Sequence, residues 1–197
     1  MRNASTKLAK YAVAIILTTL WGGAHAAGDS ISISVHYGQK YLDQSDWEPV
    51  ESQSEFGVGT TFQQPGMPFI WVGDLLLSSG SSSDYTSFPV PIKASGETTE
   101  LSVGARKDLT EGSTKVFGQG GLLYISAKNK ATNLATNISA SDSGAALGLW
   151  LGGGLDAMVT PAISVGGLIR ISRADAGSAI GGIHFGLYAA YHFLIGP

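Results

Sequence analysis

The sequence contains no cysteine. Thiol catalysis and disulfide bonds are therefore excluded, as is the lipidated cysteine that anchors a bacterial lipoprotein. Charged residues make up only 14% of the 197 residues, about half of their share in ordinary soluble domains. Beyond the N-terminal segment, no apolar run is long enough to form a membrane-spanning helix. The apolar residues must therefore be buried, or exposed to lipid, in many short segments.

The N-terminal segment has the features of a secretory signal peptide. Basic residues precede an apolar run over residues 11–21, and Ala24-His25-Ala26 matches the small-residue cleavage pattern. A membrane anchor helix is the alternative, but the run is short for a span. We expect residues 1–26 to be a signal peptide and residues 27–197 to form one exported domain.

The charge balance argues against one class of partner. Three of the twelve Lys and Arg residues lie in the expected signal peptide, which leaves nine against fifteen Asp and Glu. Nucleic-acid binding requires a basic face. We therefore expect no nucleic-acid partner.

Eight segments of the expected exported domain alternate apolar residues with small or polar residues at a period of two, which indicates β-strands. In one of them Phe56, Val58 and Phe62 would share one face of the strand, and Glu55 would lie on the other. Most are about nine to twelve residues long, which matches a tilted strand that crosses a membrane. The expected strands cover residues 30–38, 54–63, 68–77, 98–107, 114–127, 144–155, 162–172 and 182–193.

The connections between these segments alternate between short and long. Short turns on one side and longer loops on the other are typical of outer-membrane barrels. The sequence therefore predicts an all-β fold, a closed antiparallel up-and-down transmembrane β-barrel of eight strands, with a soluble lipocalin-like barrel as the alternative. The expected turns are 64–67, 108–113 and 156–161, and the expected loops are 39–53, 78–97, 128–143 and 173–181.

With this strand count and the aromatic closing segment 182–193, the chain resembles the small eight-stranded outer-membrane barrels of Gram-negative bacteria. This porin-like group includes the OmpA transmembrane domain and OmpX. The resemblance implies the bacterial outer membrane as location, with its lipid and lipopolysaccharide and the barrel-insertion machinery as partners. It implies no single activity, because such barrels serve as structural proteins, adhesins, narrow channels or lipid-modifying enzymes.

Several ionisable residues fall on the inward rows of the expected strands. Charges in a lumen should pair or stay hydrated, and we expect acids of the second to fourth strands to face Arg106 and Arg170. Such a network would close the pore as a plug of ion pairs or, alternatively, form a polar pathway. The expected members of this lumen network are His36, Glu55, Asp74, Glu100, Arg106, Arg170, His184 and His192.

No catalytic or cofactor motif is found in the sequence. The Ser–His pairs Ser172 with His184 and Ser34 with His36 would face the lumen, away from lipid substrates. His184 and His192 are eight residues apart on one strand, about 26 Å at 3.3 Å per residue, and cannot share a metal ion. We expect no enzyme activity, cofactor or metal.

The expected function is a structural or surface-interaction role through the long external loops, with an external ligand or partner that the sequence does not identify. The alternative is a narrow channel for ions or small solutes. A lipid-modifying enzyme is a less favoured interpretation.

Overall fold

A computed structural model describes residues 30–42, 49–85, 91–175 and 179–194. The expected signal peptide lies outside these residues and stays a prediction. Within the described ranges, no helix is long and apolar enough to cross a membrane.

The described residues form eight antiparallel strands, each paired with its neighbours along the chain. Pairing of the first strand with the last, from Ser30 with Leu194 to Leu42 with Gly182, closes the sheet into a barrel. The expected fold class is thereby confirmed. The strands are β1 (Ser30–Leu42), β2 (Ser52–Gln63), β3 (Ile70–Tyr85), β4 (Ile92–Asp108), β5 (Thr114–Asn133), β6 (Ser139–Thr160), β7 (Ile163–Asp175) and β8 (Ala179–Leu194).

The exterior of the barrel is apolar. Leu147, Leu187 and Tyr37 are 77%, 71% and 66% exposed, whereas alternate residues such as Trp150 and Ile125 are buried inside. A barrel that dissolves in water would place its apolar side chains inside. An outward apolar belt around a partly polar interior fits a bilayer and argues against the lipocalin-like alternative.

Short turns connect the strands at one end of the barrel. β2 and β3 are separated by residues 64–69, β4 and β5 by 109–113, and β6 and β7 by 161–162. Two of these turns contain a glycine with positive φ, Gly66 at 82° and Gly112 at 110°, a conformation that glycine adopts without strain. By analogy with outer-membrane barrels, we expect this end to face the periplasm and the opposite, outer end to face the outside of the cell.

At the outer end, three of the expected loops are largely strand, and their prediction is wrong in this respect. In place of loop 173–181, β7 continues to Asp175 and β8 begins at Ala179. In place of loop 78–97, β3 continues to Tyr85 and β4 begins at Ile92; in place of loop 128–143, β5 continues to Asn133 and β6 begins at Ser139. Sequence alternation disappears there because both faces of these segments are polar or small, while the backbone still pairs.

This part of the structure is a four-stranded sheet that continues beyond the other strands. β2 pairs with β3 only up to Ser79, and β7 pairs with β6 only from Gly148. We call this region the sheet extension and define it as residues 80–85, 92–98, 127–133 and 139–147. In the described residues its two outer strands, β3 and β6, each have one edge without a paired strand.

Candidate functional site

Six ionisable side chains from six strands meet in the middle of the lumen. They occupy inward rows of the strands, so that their charged ends converge away from lipid. Their contacts form one network, which we call the central cluster. Its members are Lys40, Glu55, Asp74, Glu100, Arg170 and His184.

Glu100 is the hub of the central cluster and is fully buried. Its Oε1 accepts a bond from Lys40 Nζ at 2.5 Å, and its Oε2 accepts one from Arg170 Nη2 at 3.1 Å. Ser172 Oγ lies 3.2 Å from the same Oε1. A buried carboxylate needs such partners because an unpaired charge in a low dielectric is costly.

Arg170 connects the hub to β3 and to the aromatic part of the interior. Its Nη1 lies 3.5 Å from Asp74 Oδ2, and it donates to Ser102 Oγ at 3.1 Å. The guanidinium lies over the Trp150 ring, 4.4 Å from the ring centroid. Ion pairing and stacking together fix a side chain that is only 2% exposed.

Glu55, His184 and Ser172 are hydrogen-bonded in series. Glu55 Oε2 lies 2.7 Å from His184 Nδ1, and His184 Nε2 lies 2.9 Å from Ser172 Oγ. Acid, histidine and serine follow this order in serine hydrolases. Here Ser172 is buried and lies against the Glu100 carboxylate, whose charge would oppose an oxyanion at that position. The arrangement therefore fits a structural bond network better than a nucleophile.

A second group of charges lies near the short turns, and we call it the lower cluster. Arg106 bonds Asp108 at 2.9 Å and Asp156 at 3.0 Å, and Lys115 bonds Asp108 at 2.9 Å. Arg106 also lies over the ring of Phe117, 3.8 Å from its centroid.

Between the two clusters the lumen contains a small polar cavity. Its volume is about 50 Å³, and His36, Asp74, Arg106, Asp156 and Tyr188 contribute to its lining. Each water needs roughly 10–15 Å³ of such space, so the cavity holds only a few water molecules.

The outer half of the lumen is filled by apolar side chains. Val50, from the segment between β1 and β2, packs into this layer and is 1% exposed. Together with the central cluster this layer blocks the lumen among the described residues. The layer consists of Leu42, Val50, Ala94, Leu123, Ile125, Ala127, Ala146 and Ala174. Val72 and Trp150 belong to the same apolar cluster but lie deeper, Val72 at the cavity and Trp150 against Arg170.

The structure brings together some of the residues selected from the sequence and separates others. Arg170 faces Asp74 and Glu100, but Arg106 contacts neither and pairs with Asp108 and Asp156 instead. The expected acids Glu55, Asp74 and Glu100 form no ion pair with Arg106, and this part of the expectation is wrong; its partner Asp108 ends β4, one residue beyond the expected fourth strand, 98–107. Arg106 and Glu100 are six residues apart on β4, about 20 Å at 3.3 Å per residue.

Of the two remaining histidines, His36 borders the central cluster at Asp74 and His192 lies outside it. His36 Nε2 is 2.8 Å from Ser34 Oγ and 3.9 Å from Asp74 Oδ1, at the cavity. His192 Nε2 is 2.8 Å from Ser164 Oγ. Both histidines therefore have serine partners inside the barrel.

Four charged members of these clusters were missed in the sequence: Lys40, Asp108, Lys115 and Asp156. Lys40 follows the end of the first expected strand, 30–38, and Asp156 follows the end of the sixth, 144–155. Lys40 is four residues from His36, and Asp156 is six residues from Trp150. Because residues an even number of positions apart share one face of a strand, both side chains point inward. Extending the alternation by two residues would have found these two.

Comparison with known proteins supports the architecture. Neither a protein-family model nor a curated protein matches the chain. Among solved structures, a major outer membrane protein of Thermus thermophilus is 16% identical with a TM-score of 0.60, over 86% of this chain and all of that one. The attachment invasion locus protein Ail of Yersinia pestis, in complex with the heparin analogue sucrose octasulfate, is 18% identical with a TM-score of 0.59, over 85% of this chain and all of that one.

A third solved structure is the outer membrane protein OprG of Pseudomonas aeruginosa. It is 12% identical with a TM-score of 0.52, over 86% of this chain and 97% of that one. Identities this low establish the fold alone. Together with the apolar belt and the closed eight-stranded sheet, they confirm the resemblance drawn from the sequence: the chain has the fold of the small eight-stranded bacterial outer-membrane β-barrels.

Proposed function

We propose that the chain is a surface-interaction protein of the bacterial outer membrane. The barrel anchors it in the bilayer, and the sheet extension presents a surface to partners outside the cell. The observation that carries this proposal is the extension itself, because four paired strands project beyond a barrel whose lumen is filled. An exported protein requires a leader, for which residues 1–26 remain the predicted segment.

The free edge of β6 supports this function. Among the residues that the structure describes, 139–147 pair with β5 on one side and with no strand on the other, and most of their side chains are small and exposed. An unpaired strand edge offers backbone donors and acceptors to an extended segment of another protein. At the hairpin tip, Leu134 and Ile138 are also 49% and 70% exposed. The edge and the tip are two separable contact points.

The resemblance in fold to Ail, an attachment protein by name, is consistent with this role. A channel is less well supported, because the apolar layer and the central cluster occlude the described lumen. A lipid-modifying activity is less well supported because Ser172 and His184 are buried. If an activity of this kind existed, mass spectrometry would detect altered lipid A in cells that overproduce the protein.

Shortening the β5–β6 hairpin tests the proposal. Lys128 and Ser143 are register partners, so residues 129–142 can be replaced by Asn-Gly, a two-residue hairpin turn. The probe is adhesion of bacteria that produce the protein to an epithelial monolayer. We expect the shortened variant to lose most adhesion while keeping the heat-dependent gel shift of a folded barrel. The matched control is Leu134→Ser with Ile138→Ser, which changes the tip and keeps the edge.

Adhesion that depends on the β6 edge would persist in this control and disappear in the shortened variant. Loss of adhesion in both variants would indicate that the hairpin tip, and not the β6 edge, makes the contact. If the full-length protein gives no adhesion above cells without it, or if shortening has no effect, the proposed function is wrong.

A further inference from the structure

The small polar cavity between the two clusters is lined by a carboxylate oxygen that no protein group satisfies. Asp156 is 7% exposed and contributes to the lining of the cavity. Its Oδ2 accepts a bond from Arg106, but its Oδ1 is buried without a hydrogen-bond partner. Leaving a buried acceptor unsatisfied costs free energy, so this oxygen requires a partner inside the cavity.

Asp74 is the second carboxylate at the cavity. Its Oδ2 lies 3.5 Å from Arg170, while its Oδ1 lies 3.9 Å from His36 Nε2, beyond hydrogen-bond distance. A Cβ atom at Gly59 would lie 2.6 Å from Asp74 Oδ1 and 2.7 Å from Ser34 Oγ. The glycine therefore leaves the space in which a carboxylate oxygen and a hydroxyl oxygen meet.

Each of these two carboxylates shares its basic partner with another acid. Arg106 bonds both Asp156 and Asp108. Arg170 contacts Asp74 and also the hub carboxylate of the central cluster. The two clusters together contain five carboxylates against four lysine and arginine side chains. The acids are Glu55, Asp74, Glu100, Asp108 and Asp156, and the bases are Lys40, Arg106, Lys115 and Arg170.

With neutral histidines the two clusters therefore carry one excess negative charge. A proton on His184, which lies between Glu55 and Glu100, would cancel this charge, and so would a cation in the cavity. The proton would leave Asp156 Oδ1 without a partner. A cation in the cavity would satisfy that oxygen and cancel the charge together.

The lining favours an alkali cation over a transition metal. His36 Nε2 lies 2.8 Å from Ser34 Oγ, and His192 Nε2 lies 2.8 Å from Ser164 Oγ, so both nitrogens already have partners. In the part of the chain that the structure describes, no three histidine or acidic side chains form a metal-binding group. Carboxylate, hydroxyl and water oxygens are ligands for hard cations. A single excess charge matches a monovalent ion, and a divalent ion would reverse its sign.

We propose that the cavity binds one monovalent alkali cation, Na⁺ or K⁺, with Asp156 Oδ1 as its ligand and Asp74 as the second anionic group. A volume of about 50 Å³ has room for the ion and a few waters. The ion enters from the short-turn end, where the Lys115 side chain is 38% exposed, because the central cluster and the apolar layer close the other side. It is therefore a resident ion and not a transported one, and the site is independent of the proposed adhesion.

Urea-induced unfolding of the full chain in lipid vesicles tests this site. The midpoint is measured at one ionic strength in sodium chloride, in potassium chloride and in the chloride of N-methylglucamine, a cation too large for the cavity. An ion at about ten times its dissociation constant raises the folding equilibrium constant about tenfold. We therefore expect a higher midpoint in at least one alkali salt. Asp156→Asn and Asp74→Asn should each abolish most of this difference between salts.

The matched control is Glu111→Gln. It removes a carboxylate from a short turn outside the lumen and should keep the difference between the salts. Equal midpoints in all three salts would overturn the proposal and leave a proton as the balancing charge. So would a difference that persists in both Asp156→Asn and Asp74→Asn, or one that disappears equally in Glu111→Gln.

A second measurement uses the unaltered protein and does not depend on the folding of any variant. Thallium(I) replaces alkali cations and scatters X-rays anomalously. Crystals grown in a thallium(I) salt should show an anomalous peak in the cavity beside Asp156 Oδ1. A cavity without such a peak would overturn the proposal.

Discussion

At the scale of single residues, the interior is organised around buried charges with several partners each. Glu100 contacts Lys40, Arg170 and Ser172, and none of these four side chains is more than 3% exposed. Such a network stabilises the fold only when it is complete, because removing one member leaves a buried charge without its partner.

Lys40→Met should therefore lower the free energy of unfolding by about 3 kcal/mol, the cost of breaking a buried ion pair. Methionine has a similar volume, so the loss would come from the charge and not from a cavity. Urea-induced unfolding of the protein in lipid vesicles measures this change in the free energy of unfolding.

Glu100→Gln in the same background provides the control. The double variant should be more stable than the sum of the single effects predicts, by about 1–3 kcal/mol of coupling. Strictly additive effects would mean that Lys40 and Glu100 do not stabilise each other.

Gly104 shows how tightly the interior is packed. A Cβ atom at this position would lie 2.9 Å from Trp150 Cζ2 and closer still to the Gly120 carbonyl oxygen. Gly104→Ala should therefore lower the free energy of unfolding by about 1–3 kcal/mol, as overpacking does. Gly118→Ala is the matched control, because nothing lies within 4 Å of the added methyl group. Equal urea midpoints for the two variants would contradict this packing.

At the scale of elements, the strands inside the membrane could be predicted and the sheet extension could not. In β6 and β8, apolar residues that face lipid alternate with small or polar residues that face the lumen. The sequence shows this alternation because each face of the strand has a different environment. Residues 78–85 and 128–133 lie beyond the lipid-facing belt, where neither row needs to be apolar. Their strand pairing depends on backbone bonds to β4 and β6, and the sequence carries no signal of those partners.

For the lumen network, too, the sequence predicted part of the arrangement and not the rest. Parity alone placed Glu55, Glu100, Arg170 and His184 inside the barrel. Which acid faces which base depends on strand stagger, which alternation does not encode, and Arg106 was accordingly assigned the wrong acids.

Hydrogen exchange followed by mass spectrometry distinguishes a paired extension from a loop. Amides of residues 127–132 in β5 should exchange slowly, because this stretch is paired with both β4 and β6. In residues 139–146 of β6 about half of the amides should exchange quickly, because alternate N–H groups of an antiparallel strand point to its free edge. Fast exchange of the β5 amides would support the prediction from the sequence that residues 128–143 form a loop. Full protection of residues 139–146 in β6 would mean that the edge of this strand is covered.

At the scale of the whole molecule, the lumen is layered. The lower cluster, the small polar cavity, the central cluster and the apolar layer follow one another from the short turns outward. An eight-stranded barrel is narrow enough for side chains to fill it. We therefore expect no openings above background in planar bilayers. Stable unitary conductance steps would favour the narrow channel instead.

Single-cysteine labelling tests most directly whether the barrel is anchored in the outer membrane with its sheet extension facing the outside of the cell. Because the chain has no native cysteine, Thr136→Cys in the β5–β6 turn and Glu111→Cys in a short turn each introduce one thiol. On intact cells, a membrane-impermeant maleimide should label the cysteine at 136, and should label the cysteine at 111 only after the outer membrane is permeabilised. Labelling of position 111 but not 136 on intact cells, or of neither position under both conditions, would contradict the account.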